Sequence, residues 1–367
     1  MEASRRVVIV SRAPRGGHPR YSAELARAVH EQGAEVALVQ PAAAFADTAE
    51  LLDGFPIERV SIPEISRGWF RQEAAIIGFL KRRGGPGIVL FEETSPMRAL
   101  SLLLLTRQTT WSLVTMVHNT HAHGHGRADL ARHKLAMAAL AVPHRVLVHN
   151  ELQRDELLQM RSTRATSIDV VPHGLWTRHT HGEANPPTLD GFVNRLLMFG
   201  VMRDNSGLSE LEVLARRLSS ERPEATISVI GKAASDAVSA QLARLSVLAN
   251  VEVREGFVAD EEVPEIFDHH DALVLPYTNY SSESGVLIEA VGYRMPVITA
   301  GDGSVVRRVR ELGIGPAPDG SLLDQTIEAL DASRVEREHW DQQLLAARAA
   351  LSWTRQAEIL LDRPAPS

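Results

Sequence analysis

Along the chain, short continuous apolar runs alternate with longer stretches in which apolar residues recur at helical spacing. Residues 7–10, 36–39, 88–91, 113–117, 146–148 and 168–171 are such runs. Their length and lack of alternation fit strands covered on both faces, as in a parallel sheet. Helical patterns lie between most of them, and the first runs from about residue 21 to 32 and stops at Gly33, a helix-ending glycine. A second set of strands follows at 196–200, 227–231, 251–253, 272–275 and 297–299. Between Trp176 and Arg195 apolar positions thin out and Pro186 and Pro187 appear, which reads as a linker. From 333 to 361 the pattern is helical, with Trp340, Leu344, Ala347 and Leu351 on one face.

The βαβα order predicts an α/β protein of two doubly wound, Rossmann-like domains facing across a cleft. Their expected bounds are 1–185 and 190–337, with a terminal helix at about 338–367 crossing back onto the first domain. In such sheets ligands bind beyond the carboxyl ends of the strands.

One stretch carries the most chemistry. Residues 271–276 form a buried strand, a loop of small polar residues follows, a helix begins between Ser282 and Ser284, and a second strand starts after Pro296. A helix N-terminus approached by small residues binds anions, phosphate above all. Glu289, one turn inside, can accept hydrogen bonds from a ribose diol. An ordinary capped core helix would give the same spacing. At the end of the first strand Gly16 and Gly17 permit close backbone approach to a ligand, and a simple flexible turn would also use them.

Composition narrows the class. At 367 residues two domains are the default, and no run approaches the ~18 apolar residues of a membrane span. Arg5 and Arg6 precede an apolar run too short for a signal peptide, and cysteine is absent, so the expected location is cytoplasmic. The net charge of −7 is unevenly spread: residues 1–185 hold about 22 of the 39 Lys and Arg but about 18 of the 46 Asp and Glu. This mildly basic half leaves open an anionic acceptor or a peripheral contact with the inner membrane face. Its basic groups are not interleaved with aromatics, so no nucleic-acid partner is expected. The histidines His118, His121, His123, His125 and His133 have spacings compatible with metal ligation, yet no cysteine or well-spaced carboxylate accompanies them before Asp129. The expectation is no metal and no cofactor, with His118 facing a donor and His121 or His123 on an acceptor side.

Taken in order, a set of short motifs carries a family likeness: Gly16-Gly17, Val117-His118-Asn119, Pro172-His173-Gly174, Phe199-Gly200, Gly256-Phe257-Val258, Leu275-Pro276-Tyr277, the run from Ser284 to Ala290, Met295-Pro296, and Ser352-Trp353. The chain resembles the GT-B glycosyltransferases, and within them the retaining family 4 group that uses nucleotide sugars. The resemblance implies that Ser284, Gly285 and Val286 hold the donor diphosphate, Glu289 the ribose, and Phe257 and Val258 the base. It also implies that Gly17 lets the diphosphate approach and that His118 reaches the transferred sugar. Two departures accompany it. Ser281 stands where the family carries a carboxylate, with Glu283 nearby, and Val201 and Ser206 stand where Arg and Lys are usual, leaving Arg203 or Lys232 to balance the leaving group.

A retaining transfer without two flanking carboxylates relies on positioning and on stabilising the leaving diphosphate, with His118, Glu283 and Arg203 as the expected catalytic groups. The expected partners are a UDP-, GDP- or dTDP-sugar and a saccharide, lipid-linked or natural-product acceptor. A non-catalytic GT-B homologue partnering an active enzyme is the second reading, motivated by the two departures. A sugar-nucleotide epimerase or a phosphorylase is the third. A hydrolase fits poorly, since Glu283 and Glu289 lie on one short segment.

Overall fold

The computed structural model describes residues 5–64, 68–94, 105, 110–120, 127–160, 167–179, 193–278 and 280–362. The chain divides into two compact units, Met1–Gly174 with Ser352–Ser367, and Leu175–Leu351. Both are doubly wound α/β layers built on parallel strands.

In the first unit the apolar runs become β1 (Arg6–Val10), β2 (Glu35–Pro41), β4 (Gly87–Phe91), β5 (Trp111–Val117), β6 (Arg145–Val148) and β7 (Ser167–Val170). The remaining strand, β3 (Glu58–Ile62), sits at the sheet edge and alternates polar with apolar residues, so it forms no continuous apolar run. The order is β3-β2-β1-β4-β5-β6-β7, all parallel, and the winding reverses between β1 and β4. Val8, Val10, Val39, Val89, Phe91, Trp111 and Leu113 pack into one apolar cluster. The first helix spans Gly17–Glu31 and starts earlier than its apolar pattern implies. Pro19 falls in its first turn, where a missing N–H costs nothing. The helix Trp353–Leu361 closes this unit: Arg145 on β6 donates to the carbonyls of Ile359 (3.0 Å) and Leu360 (3.3 Å) and pairs with Asp169 at 2.8 Å.

The second unit has β8 (Arg195–Phe199), β9 (Thr226–Gly231), β10 (Val251–Glu255), β11 (Ala272–Val274) and β12 (Val297–Ile298) in the order β10-β9-β8-β11-β12. Its switch point lies between β8 and β11. Behind the sheet the helix Arg334–Ala350 buries Trp340, Leu344 and Ala347, the face read from the sequence. A capping box between Ser333 and Glu336 starts it. The C-terminal helical pattern is not one segment. It breaks at Leu351, and Ser352 caps the next helix by accepting from the Arg355 N–H at 3.4 Å, so the first piece stays with the second unit and only the last piece joins the first. Among the described residues no helix is long and apolar enough to cross a membrane.

Candidate functional site

On the second unit, the helix Gly285–Gly292 begins where β11 gives way to its loop. Ser284 is the N-cap, accepting from the Leu287 N–H at 3.2 Å, which spends one of the free amide donors on the cap and leaves those of Gly285 and Val286 outside the helical ladder. Glycines bring other backbone up to this end. A Cβ on Gly200, after β8, would stand 2.9 Å from Val286 Cγ2, and one on Gly231, after β9, would stand 1.8 Å from the Gly200 carbonyl oxygen. The ends of β8 and β9 are therefore packed backbone to backbone, and Gly200 lies against the Val286 side chain in the first turn of the helix.

Around this end, Tyr277 is half-buried, and desolvation raises its hydroxyl pKa, while the Ser284 hydroxyl and the Arg203 charge oppose the rise. Arg203 is thus a cation close to the capped helix end. Its N–H donates to Ser206 Oγ at 2.8 Å, and the Ser206 N–H returns a bond to the Arg203 carbonyl at 3.0 Å. Ser206, one of the two departures, is a buried loop closure rather than a missing cation. Lys232 is exposed, and its carbonyl accepts from the Met202 N–H at 2.9 Å, tying it to the Gly200 loop. Phe257 is 84% exposed after β10, an apolar ring open to a planar ligand, and Val258 beside it is half-buried.

Two carboxylates of this region already have partners. Glu283 is buried and faces Arg308 at 3.9 Å, and Tyr280 Oη donates to its carbonyl at 3.2 Å. Glu289 is engaged by Arg178, and His179 Nε2 meets its Oε2 at 2.7 Å. Arg178 also reaches Asp260 at 3.6 Å. Sequence reasoning missed Arg178 and His179 because they open the stretch read as a linker, where a basic pair has no helical or strand context.

On the first unit, Gly17 opens the first helix at an exposed end, with room around its Cα. His118 follows β5 and belongs to a buried cluster centred on Tyr21. The Tyr21 ring meets those of His118, His149, His173 and Trp353 edge-on at centroid distances of 5.0, 5.5, 5.1 and 4.9 Å. Its hydroxyl donates to Gln356 Oε1 at 2.8 Å. The tautomers follow from the partners. His149 Nδ1 lies 3.0 Å from the Val171 carbonyl, which only accepts, so Nδ1 carries the proton. Burial drives the His149 pKa down to about 4, so Nε2 is a lone pair, and it accepts from His118 Nδ1 at 3.0 Å. His118 Nε2 is then also a lone pair, buried and, among the described residues, without a partner. Burial foremost, then His18, His149 and His173, hold the His118 pKa well below the usual histidine value.

Glu92 and Glu93 follow β4 and point to different surroundings. Glu93 accepts from the N–H groups of Arg12 and Ala13 at 3.2 Å each and pairs with Arg12 Nε at 3.3 Å, knitting the ends of β1 and β4. Glu92 is fully buried, among the described residues neither carboxylate oxygen is hydrogen-bonded, and burial raises its pKa well above the carboxylate range, with the Ser22 hydroxyl opposing and Glu93 adding to the rise. The ligand atoms of His18, Glu92 and His118 lie within 4.8 Å of one another. A carboxylate pair directly after a continuous apolar strand was the one signal for Glu92 in the sequence. His121 and His123 lie outside the described residues.

Residues 193–330 match the family model described as Glycosyl transferases group 1. No curated protein matches. Among solved structures the chain is similar to a glycosyltransferase from Rickettsia africae ESF-5, with 15% identity, a TM-score of 0.70, and 98% of this chain and 97% of that one covered. It is also similar to WaaG, a glycosyltransferase involved in lipopolysaccharide biosynthesis (16%, 0.67, 96% and 99%). A third is Alr3699/HepE from Anabaena, solved in complex with UDP and glucose (15%, 0.69, 98% and 99%). At these identities the likeness is one of fold, and that fold is GT-B.

Proposed function

From a GT-B fold whose residues 193–330 match the group 1 glycosyltransferase model, we propose that this chain is a glycosyltransferase that moves a sugar, with retention, from a nucleoside-diphosphate sugar to a hydroxyl of a saccharide, lipid-linked or small-molecule acceptor. The observation that carries this reading is the capped N-terminus of the helix Gly285–Gly292, with Gly200 packed against Val286 in its first turn and the Arg203 charge acting on the neighbouring Tyr277. The amides of Gly285 and Val286 and the Arg203 guanidinium hold the diphosphate and steady the charge that develops as it leaves. Phe257 and Val258 take the base. Glu289 takes the ribose hydroxyls, exchanging part of its contact with Arg178 and His179 for them. His118, beyond β5, meets a substrate oxygen. A UDP-sugar is the leading donor, supported by the relative solved with UDP and glucose, with GDP- and dTDP-sugars next. The cytoplasm is the proposed location, where nucleotide sugars are supplied, with the basic first half available to an anionic membrane face.

The prior engagement of Glu289 favours a second reading, a non-catalytic homologue that partners an active enzyme. A thermal-shift screen against UDP, GDP, ADP and dTDP and their sugar conjugates separates the two, since a ligand of the folded state raises its melting temperature. A shift with one nucleotide, lost in Glu289→Ala, together with release of that nucleotide from its sugar conjugate, supports transfer. Binding without release supports the second reading, and no shift with any nucleotide rejects the donor site.

A further inference from the structure

The first unit holds a donor set of which the transfer chemistry uses only His118. Glu92 is fully buried, and among the described residues neither of its oxygens has a hydrogen-bond partner, the nearby Ser22 hydroxyl donating to the His18 carbonyl at 3.0 Å. Among the described residues His118 Nε2 is a buried lone pair with no partner, fixed in that tautomer by the relay from Val171 through His149. The His18 ring stands edge-on to His118 at 4.6 Å. Three ligand atoms from three chain segments thus converge within 4.8 Å, at the switch point between β1 and β4 where the fold collects its ligands.

We propose that His18, Glu92 and His118 bind one divalent transition cation. Two imidazoles and a carboxylate with no thiolate suit the zinc, manganese, cobalt or ferrous ion better than calcium or magnesium. Ligand bonds of about 2.0–2.2 Å require the three side chains to close in by only about an ångström. A buried carboxylate with no donor is costly to leave charged, and a cation removes that cost. The outer layer has the form such sites use, because the second nitrogen of His118 donates to His149, which donates to a backbone carbonyl. The proposal rests on the geometry of the first unit and stands whether or not the chain transfers sugars.

The test is titration of chelator-treated protein with cobalt(II) alone, followed by its visible d–d absorption and by calorimetry. One cation per chain is expected. Glu92→Gln and His118→Gln should each weaken binding at least about tenfold, and His149→Phe, which removes the outer partner only, about tenfold. Glu92→Gln keeps the shape of the site, and its melting curve shows that the variant is folded. Absence of saturable one-to-one uptake by the parent protein overturns the proposal. So does uptake that survives Glu92→Gln and is lost when His121, His123 and His125 are replaced, which would put the cation on the neighbouring histidine run.

Discussion

The two sheets share a winding but furnish their switch points in opposite ways. Between β8 and β11 the second unit offers backbone: Gly200 and Gly231 let carbonyls and amides approach a helix end, and the charged groups stay at the rim. Between β1 and β4 the first unit offers side chains: Tyr21, four histidines and Glu92 fill the same topological position. Backbone amides carry fixed partial charges that suit a phosphate at any ordinary pH. Imidazoles and a buried carboxyl change state with protons or cations. One switch point is thus indifferent to pH and the other responsive to it.

Breaking the backbone-built side should have the largest effect. Gly231→Ala places a Cβ against the Gly200 carbonyl at a φ of 147°, so a loss of more than about 3 kcal/mol is expected, read from denaturant unfolding followed in the second unit. On the side-chain-built half, Tyr21→Phe removes only the hydroxyl bonded to Gln356 and should cost about 1 kcal/mol. Tyr21→Ala opens a cavity among the rings and should cost about 3–5 kcal/mol. If both Tyr21 variants cost the same, the cluster is not held by ring packing.

Titration sharpens the contrast further. His173 donates to the Gly174 carbonyl at 2.7 Å and faces the rings of Tyr21, His149 and Trp353, and burial, then His149, drives its pKa down to about 3. Its folded pKa lies below its unfolded value of about 6.5, so its contribution is complete above about pH 6.5 and is lost as the pH falls toward about 3. The melting temperature should fall through that window. In His173→Phe the fall should be shallower by about one proton's worth of slope, and an unchanged slope would show that His173 is protonated in the folded protein. The smallest effect belongs to Phe257. Because its ring is exposed, Phe257→Ala should leave the melting temperature within about 1 °C while weakening nucleotide binding about three- to tenfold, and equal affinity would remove it from the base site.

Most strands of both sheets could be read from runs such as those at 7–10 and 113–117, because strands buried on both faces leave unbroken apolar sequence. The edge strand β3 was missed because Glu58, Arg59 and Ser61 alternate with apolar residues and leave only half of it inside. The helix at Gly285 was legible from its serine cap and apolar run. Glu92 was not legible as a partner of His18 and His118, because their meeting depends on how β1, β4 and β5 sit side by side, which no local pattern records. The same holds for Glu289, whose proposed ribose role came from spacing while its contact with Arg178 and His179 needed the folded chain. The break at Leu351 lay hidden within one helical period, although Ser352 is an ordinary cap.

That break has a consequence for how the molecule is made. The second unit is one uninterrupted length of chain, whereas the first is completed only by the helix Trp353–Leu361, which brings Gln356 to Tyr21 and its last carbonyls to Arg145. During synthesis the later-numbered unit can therefore finish folding while the earlier one waits on the ribosome, its sheet formed but its closing helix not yet emerged. The N-terminal half of the chain is the last to be sealed.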